Sequence, residues 1–185
     1  MTDPCRPFRQ MARNALLANR RLHGACDALA PGEWEAPRAS FFPSIRATMN
    51  HILVIDRFYL DAIGGGTLGP AAWDDPEPCA DLAAWAEAQV EMDLRAVAIA
   101  EALVPGDLNT IVQIQRAGRV QIETLGDTLL HLFLHDQHHR GQIHAMLSST
   151  SVAPPQLDEF VMVDDAAVRG FDLSAFGRTE EWIRA

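Results

Sequence analysis

The chain contains no lysine, and its fifteen basic residues are all arginines. A catalytic lysine is therefore excluded, and we attribute the bias toward arginine to the codon usage of a GC-rich genome. Cysteine is also scarce, because only Cys5, Cys26 and Cys79 occur and no two of them form a CxxC pair. This spacing argues against a disulfide framework and against a thiolate metal site, so we expect three free thiols.

The chain also lacks an excess of positive charge and has no long apolar run. The formal net charge of −10 opposes binding to a nucleic-acid phosphate backbone. No apolar run approaches the ~18 residues that a membrane span requires, and the segment MTDPCRPFRQ lacks the basic-then-apolar order of a signal peptide. We therefore expect a cytoplasmic protein that binds neither nucleic acid nor membrane.

The rest of the composition is that of a folded globular protein. Of the 185 residues, 48% are hydrophobic and 22% are charged, which is enough apolar material for one sizeable core. We expect residues 1–185 to form a single domain.

Three segments before the middle of the chain have apolar residues at helical spacing. The first runs from Phe8 to Leu29, where Pro31-Gly32 stops it. The second begins at Pro43, which suits a first helical position, and continues to about Ile63. A loop rich in glycine and proline follows, and the third helix runs from near Asp81 to Pro105.

The second half of the chain begins with a change of period. NTIVQIQ and RVQIETL alternate apolar and polar residues around Ala117-Gly118, which predicts a small β-hairpin packed on the helices. Thr124 and Asp127 then resemble a capping box that opens a fourth helix, ending between Ser148 and Ser151. A last amphipathic helix is predicted in part of 164–185. The predicted fold is all-α, a four-helix bundle with a small hairpin before its last helix.

Five of the seven histidines fall between His131 and His144, within the fourth helix. His131, His135 and His139 share one helix face, where two imidazoles spaced i, i+4 can bind one metal ion. The simpler interpretation is a polar or packing face, at about even odds for an arbitrary protein. His51 changes that balance, because it lies in the middle of an apolar helical pattern and can supply a third ligand.

Spacing alone leaves the ligand set open. His131 is the second choice as a ligand, and His138 points about 100° from His139. Asp136 and Gln142 either orient the ligands or face solvent. Three histidines leave coordination positions free for water or substrate, as in catalytic zinc sites, and nitrogen ligands also suit nickel, iron or copper.

Several segments resemble the bacterial DinB-like proteins, also called the DinB/YfiT-like family of metalloenzymes. The resemblance rests on HDQHHRGQIHAML, FPSIRATMNHILVIDRFYL, ARNALLANRRL and PPQLDEF, and the pattern H-x-x-x-H-R-G-Q with an upstream Asn-His pair is fairly specific. It implies an up-down-down-up four-helix bundle, frequently a homodimer, with a divalent ion held by three histidines. The implied ligands are His51, His135 and His139, with zinc or nickel as the favoured metals.

The resemblance implies two functional classes. Some relatives are thiol-dependent transferases or isomerases, so one hypothesis is an enzyme acting on a low-molecular-weight thiol or another small molecule, or a metal-dependent hydrolase. The alternative is a non-catalytic, metal-containing stress-response or binding module. We also expect a homodimer, because Trp34, Trp85, Trp182 and an alanine-rich third helix leave apolar surface to cover.

Overall fold

Most of the chain folds into helices, and a computed structural model describes residues 3–185. The elements in chain order are α1 (Arg6–Asp27), α2 (Ile45–Ile63), α3 (Leu82–Ala102), β1 (Ile111–Arg116), β2 (Arg119–Thr124), α4 (Leu125–Leu147), α5 (Ala166–Ala175) and α6 (Glu180–Arg184). The predicted mostly helical fold with a small hairpin before the fourth helix is confirmed. The up-down-down-up order of the helices and the single domain stay predictions.

Side-chain caps set the first residues of three long helices. Ser44, Asp81 and Thr124 have extended backbones, and each side chain accepts a hydrogen bond from the amide three residues later, at 3.0, 2.9 and 3.1 Å. The predicted cap at Thr124 is confirmed. The prediction that Pro43 opens the second helix was wrong. Ser44 caps the helix by accepting a hydrogen bond from a free helical amide, so the first helical residue is Ile45.

The four long helices pack around a shared hydrophobic core. α1 lies against α3 and α4, and α2 lies against the same two helices. Trp85 of α3 is only 1% exposed, and its indole N–H donates to the Met49 carbonyl oxygen of α2 at 2.9 Å. This contact anchors α2 two residues before His51.

α2 and α4 run antiparallel. His51 lies beside His135, whereas Tyr59, two turns later on α2, lies beside His131, one turn earlier on α4. Residues late in α2 therefore face residues early in α4. This arrangement decides which histidines of α4 can meet His51.

The hairpin packs one face of its strands on these two helices. β1 pairs antiparallel with β2, with Ile114 opposite Gln121, and Gly118 takes a positive φ of 73° in the connecting turn. Val112 and Ile114 point toward the helices and are buried. Burial of these two residues supplies the support that an isolated two-stranded sheet lacks.

Two short helices, α5 and α6, occupy the region where the sequence predicts part of one amphipathic helix. Gly177, with φ of 61°, lies between them. Arg21 of α1 donates to Asp172 at 2.9 Å and to Glu159 at 3.1 Å, and Arg169 pairs with Glu180 at 2.5 Å. The Arg21 pairs fasten the C-terminal segment to α1, and the Arg169 pair joins α5 to α6.

The buried tryptophan bears on the expected homodimer. Trp85 is covered within its own chain, and Trp34 and Trp182 are half-buried, so these residues need no second protomer. The homodimer stays a prediction. Within residues 3–185, no helix has the length and apolar character that crossing a membrane requires.

Candidate metal centre

Three histidines from α2 and α4 converge in one place. His51 Nε2 lies 3.0 Å from His135 Nε2, and one ring nitrogen from each of His51, His135 and His139 lies within 4.8 Å of the others. His139 is buried, and the other two are half-buried. These three residues, called the histidine cluster below, are the ones that the family resemblance implies.

The two neighbouring histidines of α4 lie outside the histidine cluster. His131 packs against Tyr59, with ring centroids 5.2 Å apart, and its ring centroid is 6.5 Å from that of His135. His138 touches the His139 ring, but its Nε2 accepts a hydrogen bond from Gln142 at 3.0 Å. Helical spacing on α4 left both residues open as ligands, and the position of α2 separates them from the cluster.

The dimensions of the cluster fit one metal ion. Two nitrogens about 2.0–2.1 Å from an ion lie roughly 2.9–3.4 Å apart when the angle between them is about 90–110°. The His51–His135 distance of 3.0 Å falls in this range. A hydrogen bond between those two rings would explain the distance, but it would not explain why a third imidazole converges on them.

The protonation of the histidine cluster also suits a metal. Burial, together with the neighbouring His135 and His139, lowers the pKa of His51 to about 3. Burial likewise lowers the pKa of His139, although its hydrogen bond to Gln142 opposes the shift. His51 and His139 are therefore neutral at pH 7, which is the form of imidazole that binds metal.

Gln142 holds the His139 ring through its Nδ1 atom. His139 Nδ1 donates to Gln142 Oε1 at 2.8 Å, while Gln142 Nε2 donates to His138 at 3.0 Å. Because an amide oxygen can only accept, the His139 proton lies on Nδ1 and Nε2 keeps its lone pair. Metal-bound histidines commonly have such a partner on the second nitrogen.

Asp136 and Phe42 border the histidine cluster. Asp136 is 3% exposed, and its Oδ1 lies 3.5 Å from His135 Nδ1, which is long for a hydrogen bond. The ring centroid of Phe42 lies 4.3 Å from that of His51 and 5.6 Å from that of His139. This aromatic ring keeps water from one side of the cluster.

A layer of polar side chains crosses the hydrophobic core and reaches the cluster at Asp136. All four long helices contribute to this buried polar layer, whose members are Asn19, Asp56, Gln89, Asp93, Asp136 and Arg140. Gln89 Nε2 donates to Asp56 at 2.5 Å and to Asp93 at 3.1 Å, and Asn19 donates to Asp93 at 2.9 Å. Asp56 is only 4% exposed, so it lies inside this layer and not on a solvated helix face.

Two carboxylates of the buried polar layer, those of Asp56 and Asp93, are hard to ionise. Burial raises the pKa of Asp93 to about 7, against the hydrogen bonds from Gln89 and Asn19. Burial, with the nearby Asp136 and Asp93, also raises the pKa of Asp56 well above its usual range. Neither carboxylate has a cation within ion-pair distance in the described residues. The layer therefore binds protons near neutral pH.

Arg140 is the positive member of this layer. It is 2% exposed, and its Nε and one terminal nitrogen are buried without a hydrogen-bond partner in the described residues. Oxygens of Asn19, Gln89 and Asp136 are also unpaired there. Each unsatisfied buried group costs about 1–3 kcal/mol. A cluster of buried polar atoms without hydrogen-bond partners is typical of a functional site.

Sequence reasoning missed Phe42 and most of the buried polar layer. Phe42 precedes the helix cap in an irregular segment, where no periodicity indicates the direction of its ring. Gln89 and Asp93 are spaced i, i+4 on α3, which is a visible signal. Their partners Asn19 and Asp56 lie far away in the chain, so only the packing of the helices identifies them.

Comparison with protein families bears directly on this site. The model of the DinB family matches residues 1–169, a range that includes all four long helices and the three histidines. No curated protein matches the chain.

The first prediction concerns Gln142. Replacing it with alanine removes the acceptor for the His139 Nδ1 proton, so we expect the affinity for a divalent ion to fall about 10- to 100-fold. Gln142→Glu keeps an acceptor oxygen and should retain most of the affinity. Competition of the metal-free protein with a chromophoric chelator measures both effects.

Gln137→Ala is the matched control, because Gln137 is an exposed glutamine of the same helix whose oxygen accepts from Arg140 at 3.3 Å. It should leave the affinity unchanged. Equal losses in the Gln137 and Gln142 variants would contradict a role for Gln142 in orienting His139.

The second prediction concerns Asp93. A pKa raised from 3.8 to about 7 means that the folded chain binds this proton more tightly than the unfolded chain does. The free energy of unfolding therefore decreases as pH rises through that interval and stays lower above it. Asp93→Asn removes this loss, so its stability relative to the parent protein should increase between pH 5 and pH 8 by about 1–3 kcal/mol.

Urea unfolding of both proteins at the two pH values measures this change. Asp74→Asn is the control, because Asp74 is exposed and should show no such difference. A stability difference between the Asp93 variant and the parent that is the same at both pH values would contradict the shifted titration.

Proposed function

The chain belongs to the DinB family, and we propose that it binds one divalent transition-metal ion through His51, His135 and His139. The convergence of three ring nitrogens within 4.8 Å of one another supports this proposal most strongly. Imidazole ligands suit zinc, nickel, iron and copper alike, and the family resemblance favours zinc or nickel. The up-down-down-up bundle and the homodimer that the family resemblance implies belong to the same proposal.

We propose further that the centre is catalytic, in a thiol-dependent transferase or isomerase or in a hydrolase. A divalent ion held by three protein ligands keeps positions open and lowers the pKa of a water or thiol that binds there. The chain's own side chains would prepare the site. Gln142 holds the proton of His139 on Nδ1, and Phe42 excludes water beside His51.

A non-catalytic module is the second candidate. The histidine cluster joins α2 to α4, and these helices are separated by more than sixty residues of chain. A metal ion at this point would tie the two helices together and stabilise the folded state, because it binds that state alone. This role needs no substrate.

The third prediction tests the metal site. Elemental analysis of the purified protein should find about one ion per chain, and His135→Ala and His139→Ala should each lose most of it. His131→Ala is the matched control, because His131 lies one turn earlier on the same helix and outside the histidine cluster, and it should keep the metal. Unchanged stoichiometry in both cluster variants would refute the assignment.

The fourth prediction separates the enzyme from the module. Cobalt-substituted protein is titrated with cysteine, glutathione and 2-mercaptoethanol, and visible absorption is recorded. A catalytic centre with open positions should produce a new sulfur-to-cobalt band. A purely structural ion should give no change with any of the three thiols, and that result would refute the thiol-dependent enzyme.

A further inference from the structure

A cavity of about 280 Å³ lies between the hairpin and the helices α2 and α4. Tyr59 and His131 form the helical side, and the side chains of Arg116, Gln121 and Glu123 form the hairpin side, with Asp127 at the start of α4. Its volume is close to the lower end of small-molecule pockets, which begin at about 300 Å³. None of the three clustered histidines lines it.

The second strand turns its polar residues toward this cavity. Gln121 and Glu123 line the cavity, whereas Val120 and Ile122 on the other face are 46% and 55% exposed. A slip of one residue would bury the two apolar side chains and expose the polar ones. The observed pairing does the opposite, so the second strand contributes polar side chains to a cavity that Ile114 and the Tyr59 ring also line, at a cost in apolar burial.

Arg116 provides a fixed positive charge in the cavity. Its Nε donates to Gln121 Oε1 at 2.9 Å, another guanidinium nitrogen donates to the Tyr59 hydroxyl at 3.0 Å, and the group lies 4.7 Å from the Phe58 ring centroid. No carboxylate in residues 3–185 lies within 4.0 Å of its nitrogens. The guanidinium is held in place by neutral groups and its charge is unpaired.

Glu123 provides a negative charge a short distance away. Gln121 Nε2 donates to Glu123 Oε1 at 2.8 Å, so one glutamine bridges the arginine and the glutamate and keeps them out of direct contact. Asp127 adds a second carboxylate, which accepts from the Thr124 hydroxyl at 2.7 Å. The cavity therefore presents a cation and two anions separated from one another.

This arrangement of charges selects one class of ligand. A simple anion would bind Arg116 but would be repelled by Glu123 and Asp127, and a simple cation would be repelled by Arg116. A group that carries both a carboxylate and an ammonium satisfies both ends, with the carboxylate on the guanidinium fork and the ammonium on the carboxylates. We propose that this cavity binds the amino-acid head group of a small-molecule substrate.

The position of the cavity connects it to the metal centre. Tyr59 lies two turns after His51 on α2, and His131 lies one turn before His135 on α4. The ring of His131 stands between the cavity and the histidine cluster, with its centroid 6.5 Å from that of His135. A head group bound in the cavity would therefore lie next to the residue that neighbours the cluster, and its role as part of a substrate of the metal centre rests on the proposed function.

Calorimetric titration of the full-length protein with three matched probes tests the proposal. The probes are L-2-aminobutyrate, butanoate, which lacks the ammonium, and 1-aminopropane, which lacks the carboxylate. L-2-aminobutyrate should bind saturably and at least about tenfold more tightly than either partial probe, since each lost charge removes a charge-assisted hydrogen bond. Equal affinity for either partial probe, or no saturable binding of L-2-aminobutyrate, would overturn the proposal.

Variants locate the binding in the cavity. Arg116→Gln and Glu123→Gln should each weaken L-2-aminobutyrate binding by about tenfold or more. Arg119→Gln changes the same charge on an exposed residue of the same hairpin, outside the cavity lining, and should bind normally. Circular dichroism verifies the fold, and a loss of affinity in the Arg119 variant equal to that in the Arg116 variant would refute the site.

His135→Ala distinguishes this proposal from the metal-site proposal. The cavity does not include His135, so this variant should lose metal and still bind L-2-aminobutyrate. Metal stoichiometry that stays normal while the probe fails to bind would refute the head-group site alone. Probe binding to a parent protein that holds no metal would refute the metal site alone.

Discussion

The antiparallel contact between α2 and α4 is the constraint on which the candidate site depends. His135 and His139 share a face of α4 through helical spacing alone, but the third nitrogen must come from α2. A shift of one residue in α2 would turn His51 by about 100° and remove it from the histidine cluster. Met49 resists such a shift, because its carbonyl oxygen accepts from Trp85 and its sulfur accepts from the Trp34 indole at 3.2 Å.

The contact between α2 and α4 also brings together buried polar groups that lower the stability of the fold. The carboxylates of Asp56 and Asp136 lie on the two helices that bear the histidines, and Gln89 links Asp56 to Asp93 on α3. Packing energy alone would favour apolar residues at these positions, since buried carboxylates and unpaired guanidinium nitrogens both reduce stability. The buried polar layer therefore lowers stability at the place where α2 and α4 bring the three histidines together, as is common at functional sites.

Particular residues show how far the sequence could predict this site. The i, i+4 spacing of His135 and His139 and the isolation of His51 in an apolar helix were visible without a structure, and so was the cap at Thr124. The burial of Asp56 was not visible, because helical periodicity shows that two residues share a face but does not show whether other helices cover that face. His131 and His139 are each four residues from His135, so helical spacing on α4 does not distinguish them. The family resemblance or the packing of α2 was needed to replace His131 by His51 as a partner of His135.

The histidine cluster lies on long helices, whereas several residues that line the cavity lie on the hairpin. The histidines lie inside long helices whose register is fixed by buried contacts, which suits groups that must keep their distances to within a fraction of an ångström. Arg116, Gln121 and Glu123 lie on a two-stranded hairpin that packs on the helices through Val112 and Ile114 and leaves its other face exposed. If the cavity binds a head group as proposed, a change of charge on this hairpin would alter that binding without replacing any residue of the histidine cluster.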